Sequence, residues 1–320
     1  MLPVSLAFVA ACLFAVGASL QQQVGRASLP VTVPPHVPVR RVHRWLPITA
    51  ALSHLLRHPV WLAGWVVNGV GFGIQAVALH TGSVALVQPV MVTQLLFTVP
   101  IAVLTTHSRP SGATYLSSAA IFAGVTLFIA KWGTANPPGP ADRTRVLGAV
   151  VTALGLAIAL VTIPARLHRA SRAVLEAIAA GLCFAVSAAL MKLTLDSLLR
   201  SGLGTVGEWP AYLLAISTVL GLVIGQDALA AGHLSTTVAG MAITNPLASA
   251  VIGVYAFREK IPISAGVVVG LCCAGVLIVS GVIGLARSAS RLAAKVDPDD
   301  EATGRPTTIG SWPAGLTPGG

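Results

Sequence analysis

Residues 14–20, Phe14-Ala15-Val16-Gly17-Ala18-Ser19-Leu20, return at 184–190 as Phe184-Ala185-Val186-Ser187-Ala188-Ala189-Leu190, an offset of 170. Two further echoes follow in the same order. Ala78-Leu79-x-x-Gly82 recurs as Ala228-Leu229-x-x-Gly232 at offset 150, and Ala123-Gly124-Val125 as Ala274-Gly275-Val276 at offset 151. The offset falls after the first echo because the connecting segment 21–58 is longer than its counterpart 193–209. Three ordered matches point to a duplicated unit. Duplicated helical halves are the usual plan of secondary transporters, whose site lies between the halves.

Composition says where such a chain can live. Of the 320 residues, 55% are hydrophobic and 9% charged, and the mean hydropathy is +0.83. A soluble domain carries about 25% charged residues, so this chain cannot cover a surface facing water. Its charges gather between long apolar runs, the arrangement of a polytopic helical membrane protein. The net charge of +10 would suit nucleic acid, but the basic residues lie at membrane borders and form no single stripe. They fit headgroup anchoring and orientation, and no nucleic-acid partner is expected. Cys12, Cys183, Cys272 and Cys273 fall in apolar segments without metal-ligand spacing, where cysteine acts as a small hydrophobe.

The expected fold class is therefore all-α, a bundle of about nine transmembrane helices near 2–20, 60–79, 83–105, 112–130, 147–163, 174–192, 210–230, 234–257 and 264–285. Each run approaches the ~20 residues that cross ~30 Å of hydrocarbon, and a helix satisfies its own backbone there. Pro59, Pro110, Pro164, Pro210 and Pro262 punctuate the borders. The organisation read from this is a first repeat (1–130, with the basic loop 21–58), a linker helix (131–173), a second repeat (174–285) and a cytoplasmic tail (286–320). The odd linker makes the second repeat enter the membrane in the opposite sense. Thirteen of the 20 Lys and Arg fall on one side and seven on the other, so the rule that positive loops stay inside predicts an outer N-terminus and a cytoplasmic C-terminus. The first run has no Lys or Arg ahead of Arg26 and is read as a span, not a signal peptide.

In the tail, Arg287, Arg291 and Lys295 are spaced four apart, on one face of a helical extension suited to anionic lipid headgroups. Beyond Asp297 the composition predicts disorder. The histidines of the basic loop, His36, His43, His54 and His58, fit no compact ligand set, and no metal or cofactor is expected.

Polar side chains at membrane depth are the first place to look for function. They are Asn68, Gln75, Gln88 and Gln94 in the first half, and Lys192, Gln226, Asp227 and Asn245 in the second. At offset 151 Gln75 falls on Gln226 and Gln94 on Asn245. Gln94 and Asn245 lie mid-span and lead the candidate substrate-binding set, with Gln75, Gln88, Gln226 and Lys192 behind them. The competing reading is interhelical hydrogen bonding, worth ~0.6 kcal/mol each on average. Lys192 closes its run and could snorkel to the headgroups, or attract an anion with Asp196 beside it. Gln88-Pro89 and Asn245-Pro246 are steps where a freed carbonyl and a kink could expose backbone. Gly64, Gly69, Gly71 and Gly73 read as close helix packing. No Ser/His/Asp set or paired carboxylates appear, which argues against catalysis.

The later helices resemble the drug/metabolite transporter superfamily, EamA-type. The stretch is Asn245-Pro246-Leu247 through Phe257-Arg258-Glu259-Lys260, then Ala274-Gly275-Val276-Leu277. Nine spans and Leu86-Val87-Gln88-Pro89-Val90 look like the related NIPA-type magnesium transporters. In the first half Arg109 stands where the family's glutamate would be, and each half has four helices against the family's five. The resemblance implies an inverted-repeat carrier of a small organic metabolite or drug-like solute, with a cavity between the halves. A Mg²⁺ transporter is the alternative, disfavoured by the lack of mid-membrane carboxylates. A non-transporting scaffold or accessory protein is the other, and a homodimer is compatible with each.

Overall fold

The computed structural model describes residues 1–28, 58–106, 110–132, 142–162, 169–231, 234–259 and 264–303. Among these the chain is helical throughout, with no strand: α1 (Leu2–Ser28), α2 (Pro59–Thr81), α3 (Val84–Met91), α4 (Gln94–Thr106), α5 (Gly112–Trp132), α6 (Arg143–Thr162), α7 (Arg169–Ser201), α8 (Trp209–Ala231), α9 (Leu234–Ala256) and α10 (Ala265–Thr303). A 3₁₀ turn, Gly202–Gly207, joins α7 to α8. The described residues hold nine spans long and apolar enough to cross a membrane, with α3 and α4 forming one of them, Val84–Ile101. Outward faces are apolar too: Leu116, Phe122, Val151, Val251 and Val276 are all exposed. A soluble fold cannot show that much apolar surface. The protein is a multi-pass membrane bundle.

The span 83–105 expected as one helix is broken. Pro89 has no N–H to return to Ala85, and after Met91 the bonds Thr93 N–H to Val90 and Leu95 N–H to Val92 tighten the chain before α4 starts at Gln94. Asn245-Pro246 has no such effect, since α9 runs through it.

Two borders differ from the sequence reading. The run expected to end at Lys192 belongs to a helix that continues to Ser201, because Lys192 finds partners inside the bundle. The final helix passes the expected start of disorder at Asp297 and reaches Thr303, carried by the helix-forming stretch Leu292–Lys295. It includes the positions Arg287, Arg291 and Lys295. Residues 29–57, with His36, His43 and His54, and the tail after Thr303 lie outside the described residues.

α7 is the central helix. Of its apolar window 72% is buried, against 22% for α6 and α8. It packs on α8, α9, α6 and α2, while α1 packs on α2 and on α3 and α4. α5 and α10 cross at backbone contact, because a Cβ on Gly124 would sit 2.8 Å from Ile278 Cγ1 and one on Gly281 would sit 2.6 Å from Ile121 Cγ1. Such small-residue contacts drive helix association where no hydrophobic effect operates between helices. Only part of the glycine stripe of α2 packs: Gly64 and Gly71 meet α1, while Gly69 and Gly73 face open space.

Candidate functional site

The turn between α2 and α3 is two residues, Gly82 and Ser83. It leaves the last carbonyls of α2 and the first amides of α3 without intrahelical partners. Three side chains supply them. Ser83 Oγ accepts from Leu86 N–H at 3.0 Å. Lys192, from the last third of α7, donates through Nζ to the Leu79 carbonyl at 2.7 Å and the Gly82 carbonyl at 2.6 Å. Glu259, just past α9, accepts from Val84 N–H at 2.7 Å and Ala85 N–H at 3.1 Å. A cation thus meets the negative end of one helix and an anion the positive end of the next, the favourable sense for both dipoles.

Both side chains are buried, Lys192 at 2% exposure and Glu259 at 4%. Lys192 Nζ also lies 5.4 Å from the centre of the Phe257 ring, within cation–π range. Burial raises the Glu259 carboxyl above the usual glutamate value, against the lowering pull of the Ala85 and Val84 amides, Lys192 and Ser83. Glu259 is aimed inward by Arg258, whose φ of 50° is left-handed. That conformation costs a non-glycine residue about 1 kcal/mol, and the Glu259 N–H closes the bend on the Gly253 carbonyl at 3.3 Å.

Gly253, Ser249 and Asn245 follow one another at intervals of four along α9 and form a seam against α3. A Cβ on Gly253 would stand 2.5 Å from Glu259 Oε2 and 3.2 Å from the Ala85 nitrogen, so only glycine admits the carboxylate there. Deeper in, Ser249 Oγ donates to Asn245 Oδ1 at 3.4 Å, and Asn245 Nδ2 donates to Gln88 Oε1 at 3.3 Å. Gln88 is 2% exposed, and its Nε2 has no hydrogen-bond partner. An unpaired buried donor costs about 1–3 kcal/mol, which makes this amide a candidate contact for a ligand.

More polar ties cluster at the same end of the bundle. His80 Nδ1 bonds Asp196 Oδ1 at 2.5 Å, linking α2 to α7. Arg143 Nη2 donates to Glu208 Oε2 at 2.5 Å and to Ser197 Oγ at 2.9 Å, and Ser197 Oγ donates to Glu208 Oε2 at 2.9 Å. The Glu208 carboxyl is held below its usual range by the Ser197 hydroxyl and by Arg143.

The candidate residues therefore divide. Gln88, Asn245 and Lys192 are brought into one polar seam between α3, α7 and α9. Gln94 is not: it opens α4 on an exposed position, and Asn245 bonds Gln88 in its place. Gln75 is half-buried on α2 and Gln226 is exposed on α8. The snorkelling expected of Lys192 does not occur, and its expected partner Asp196 bonds His80. One residue outside the candidate set, Glu259, is drawn into the seam, and a second buried acid, Glu176, lies apart from it near the start of α7. Glu259 entered the sequence reading only within the family-like stretch Phe257-Arg258-Glu259-Lys260, and its place right after an apolar helix was the signal for it. Glu176, on the first turns of α7, is 2% exposed; Arg172 Nε reaches its Oε1 at 2.6 Å, and its Oε2 has no partner. Among the described residues no group of three or more His, Cys, Asp or Glu could hold a metal ion.

No family model matches the chain. It is similar to an uncharacterized protein of Corynebacterium glutamicum, 24% identical over 246 residues that cover 76% of this chain and 84% of that one. No solved structure matches.

Proposed function

We propose that this protein is a secondary carrier of a small polar organic solute, working by alternating access between two inverted halves in the cell membrane, with its N-terminus outside and C-terminus cytoplasmic. The observation that carries the reading is the Gln88–Asn245 bond. It joins uncharged amides from α3 and α9 between membrane-spanning helices, Gln88 buried and Asn245 half-buried, and leaves one amide nitrogen unanswered. Amides can donate and accept without the desolvation penalty of a charge, so they orient a polar solute yet let it go. The matching packing of α1 on α2 and α7 on α8, with α5 crossing α10, supports two related halves. The broken span α3–α4 is of the kind that carriers use beside a substrate.

The test is uptake and efflux in proteoliposomes across a panel of metabolites, with Mg²⁺ included. The carrier reading expects one solute class to move, and Gln88→Ala and Asn245→Ala each to impair it while inserting normally. Movement of Mg²⁺ alone would replace this reading with the ion transporter. Flux no greater than in empty vesicles would favour a scaffold.

A further inference from the structure

Lys192 and Glu259 both spend their hydrogen bonds on backbone groups of one turn, and no ion pair joins them. Each charge is buried, and each feels the other's field. If the turn Gly82–Ser83 moved away, two desolvated charges of opposite sign would remain, with Phe257 beside Lys192 and Asp196 one turn further along α7. An isolated buried charge is strongly unfavourable, whereas a buried pair is tolerated.

We propose that this clamp has two bonded states. In the state seen here Lys192 and Glu259 grip the ends of α2 and α3. In the other the turn withdraws, its carbonyls and amides are hydrated at the bundle end, and Lys192 and Glu259 bond each other. Packed elements are bistable in this way because contacts are exchanged, not stretched. The geometry around the turn suits such an exchange. Gly82 packs on Pro3, where a Cβ would meet Pro3 Cβ at 2.5 Å, so the start of α1 moves with the turn. His80 separates from Asp196 in the same motion, since their bond is the neighbouring tie between α2 and α7. The exchange is a property of these residues alone; its use as the gate at this end of the bundle rests on the carrier reading.

Charge reversal tells the two states apart. In Lys192→Glu/Glu259→Lys the mutual ion pair survives, but a carboxylate would face the carbonyls and an ammonium the amides, so the gripped state is lost. Nitroxides at Thr81 and Leu199, in a protein with its four cysteines replaced, read the separation of the turn from the end of α7 in nanodiscs. The proposal expects the reversed protein to fold and to show a distance longer by about one helical turn, on the order of 5 Å. It expects wild type to hold a minor population at that distance, absent in Glu259→Gln. A folded reversed protein with the wild-type distance overturns it. Where the reversed protein does not accumulate, wild type decides, and a single population overturns it. A wild type that shows both distances but moves no solute would count against the carrier reading and leave the exchange standing.

Discussion

Lys192 and Glu259 hold opposite sides of one two-residue turn without bonding each other. The turn is the shared object through which the two charges act. Their substitutions are then coupled in energy, although the side chains make no direct contact.

Lys192→Met removes both donors from the Leu79 and Gly82 carbonyls and should destabilise the protein by about 3 kcal/mol. Glu259→Ala should also destabilise, because the Val84 and Ala85 N–H groups lose their acceptor. In a double-mutant cycle read by thermal unfolding in detergent, the pair should be non-additive by at least ~0.5 kcal/mol. Additive losses would mean that each residue stabilises a separate feature.

The Glu259 carboxyl, raised by burial, gives stability a pH dependence of known sign. A carboxyl with a folded pKa above its unfolded one adds stability that is fully present below the ordinary glutamate value, ~4.3, and is lost as pH rises through the folded value. Glu208, lowered by Ser197 and Arg143, acts the other way, and its contribution is lost only as pH falls through its depressed value. Melting curves of wild type and Glu259→Gln should therefore converge below pH ~4 and change in separation above it. Parallel curves across that window would remove Glu259 from the account.

Gly253→Ala places a methyl 2.5 Å from the Glu259 carboxylate and should cost about 1–3 kcal/mol, as overpacking does. Gly73→Ala meets nothing within 4 Å and should be neutral or mildly stabilising. Equal melting points for the two variants would contradict the close approach at Gly253.

The crossing of α5 and α10 predicts a similar contrast within a single helix. A Cβ on Gly281 would meet the Ser117 carbonyl at 2.7 Å and the Ile121 nitrogen at 2.9 Å, whereas Gly275 has open space. Gly281→Val should lower the yield of monodisperse protein sharply and Gly275→Val hardly at all. The yields after solubilisation decide.

The membrane spans were legible because hydropathy and proline borders are local signals: α2 begins at Pro59 and α5 at Gly112, close to where the apolar runs begin. The end of α7 was not. Lys192, Asp196 and Arg200 look like a membrane border when read along the chain, and only the distant Leu79 and Gly82 carbonyls reveal Lys192 as interior. The constant offset paired Gln94 with Asn245, but equal position in two repeats is not contact. The bend at Pro89 and Met91 shifts the register, and Gln88 is the amide that reaches Asn245. Gln88 and Asn245 were recognisable as polar groups in apolar runs; which of them would meet depended on packing across the halves.

The short turn at Gly82–Ser83 also bears on the order in which the chain is made. α2 and α3 must enter the lipid together, since two residues cannot keep α3 waiting in water. The hairpin tip then stands with its carbonyls and amides unanswered while the ribosome works onward, for Lys192 lies 110 residues beyond Gly82 and Glu259 lies 175 beyond Val84. A nascent chain stopped before Lys192 holds a hairpin whose tip is capped by its own Ser83 alone, with the Leu79 and Gly82 carbonyls still waiting for their donor.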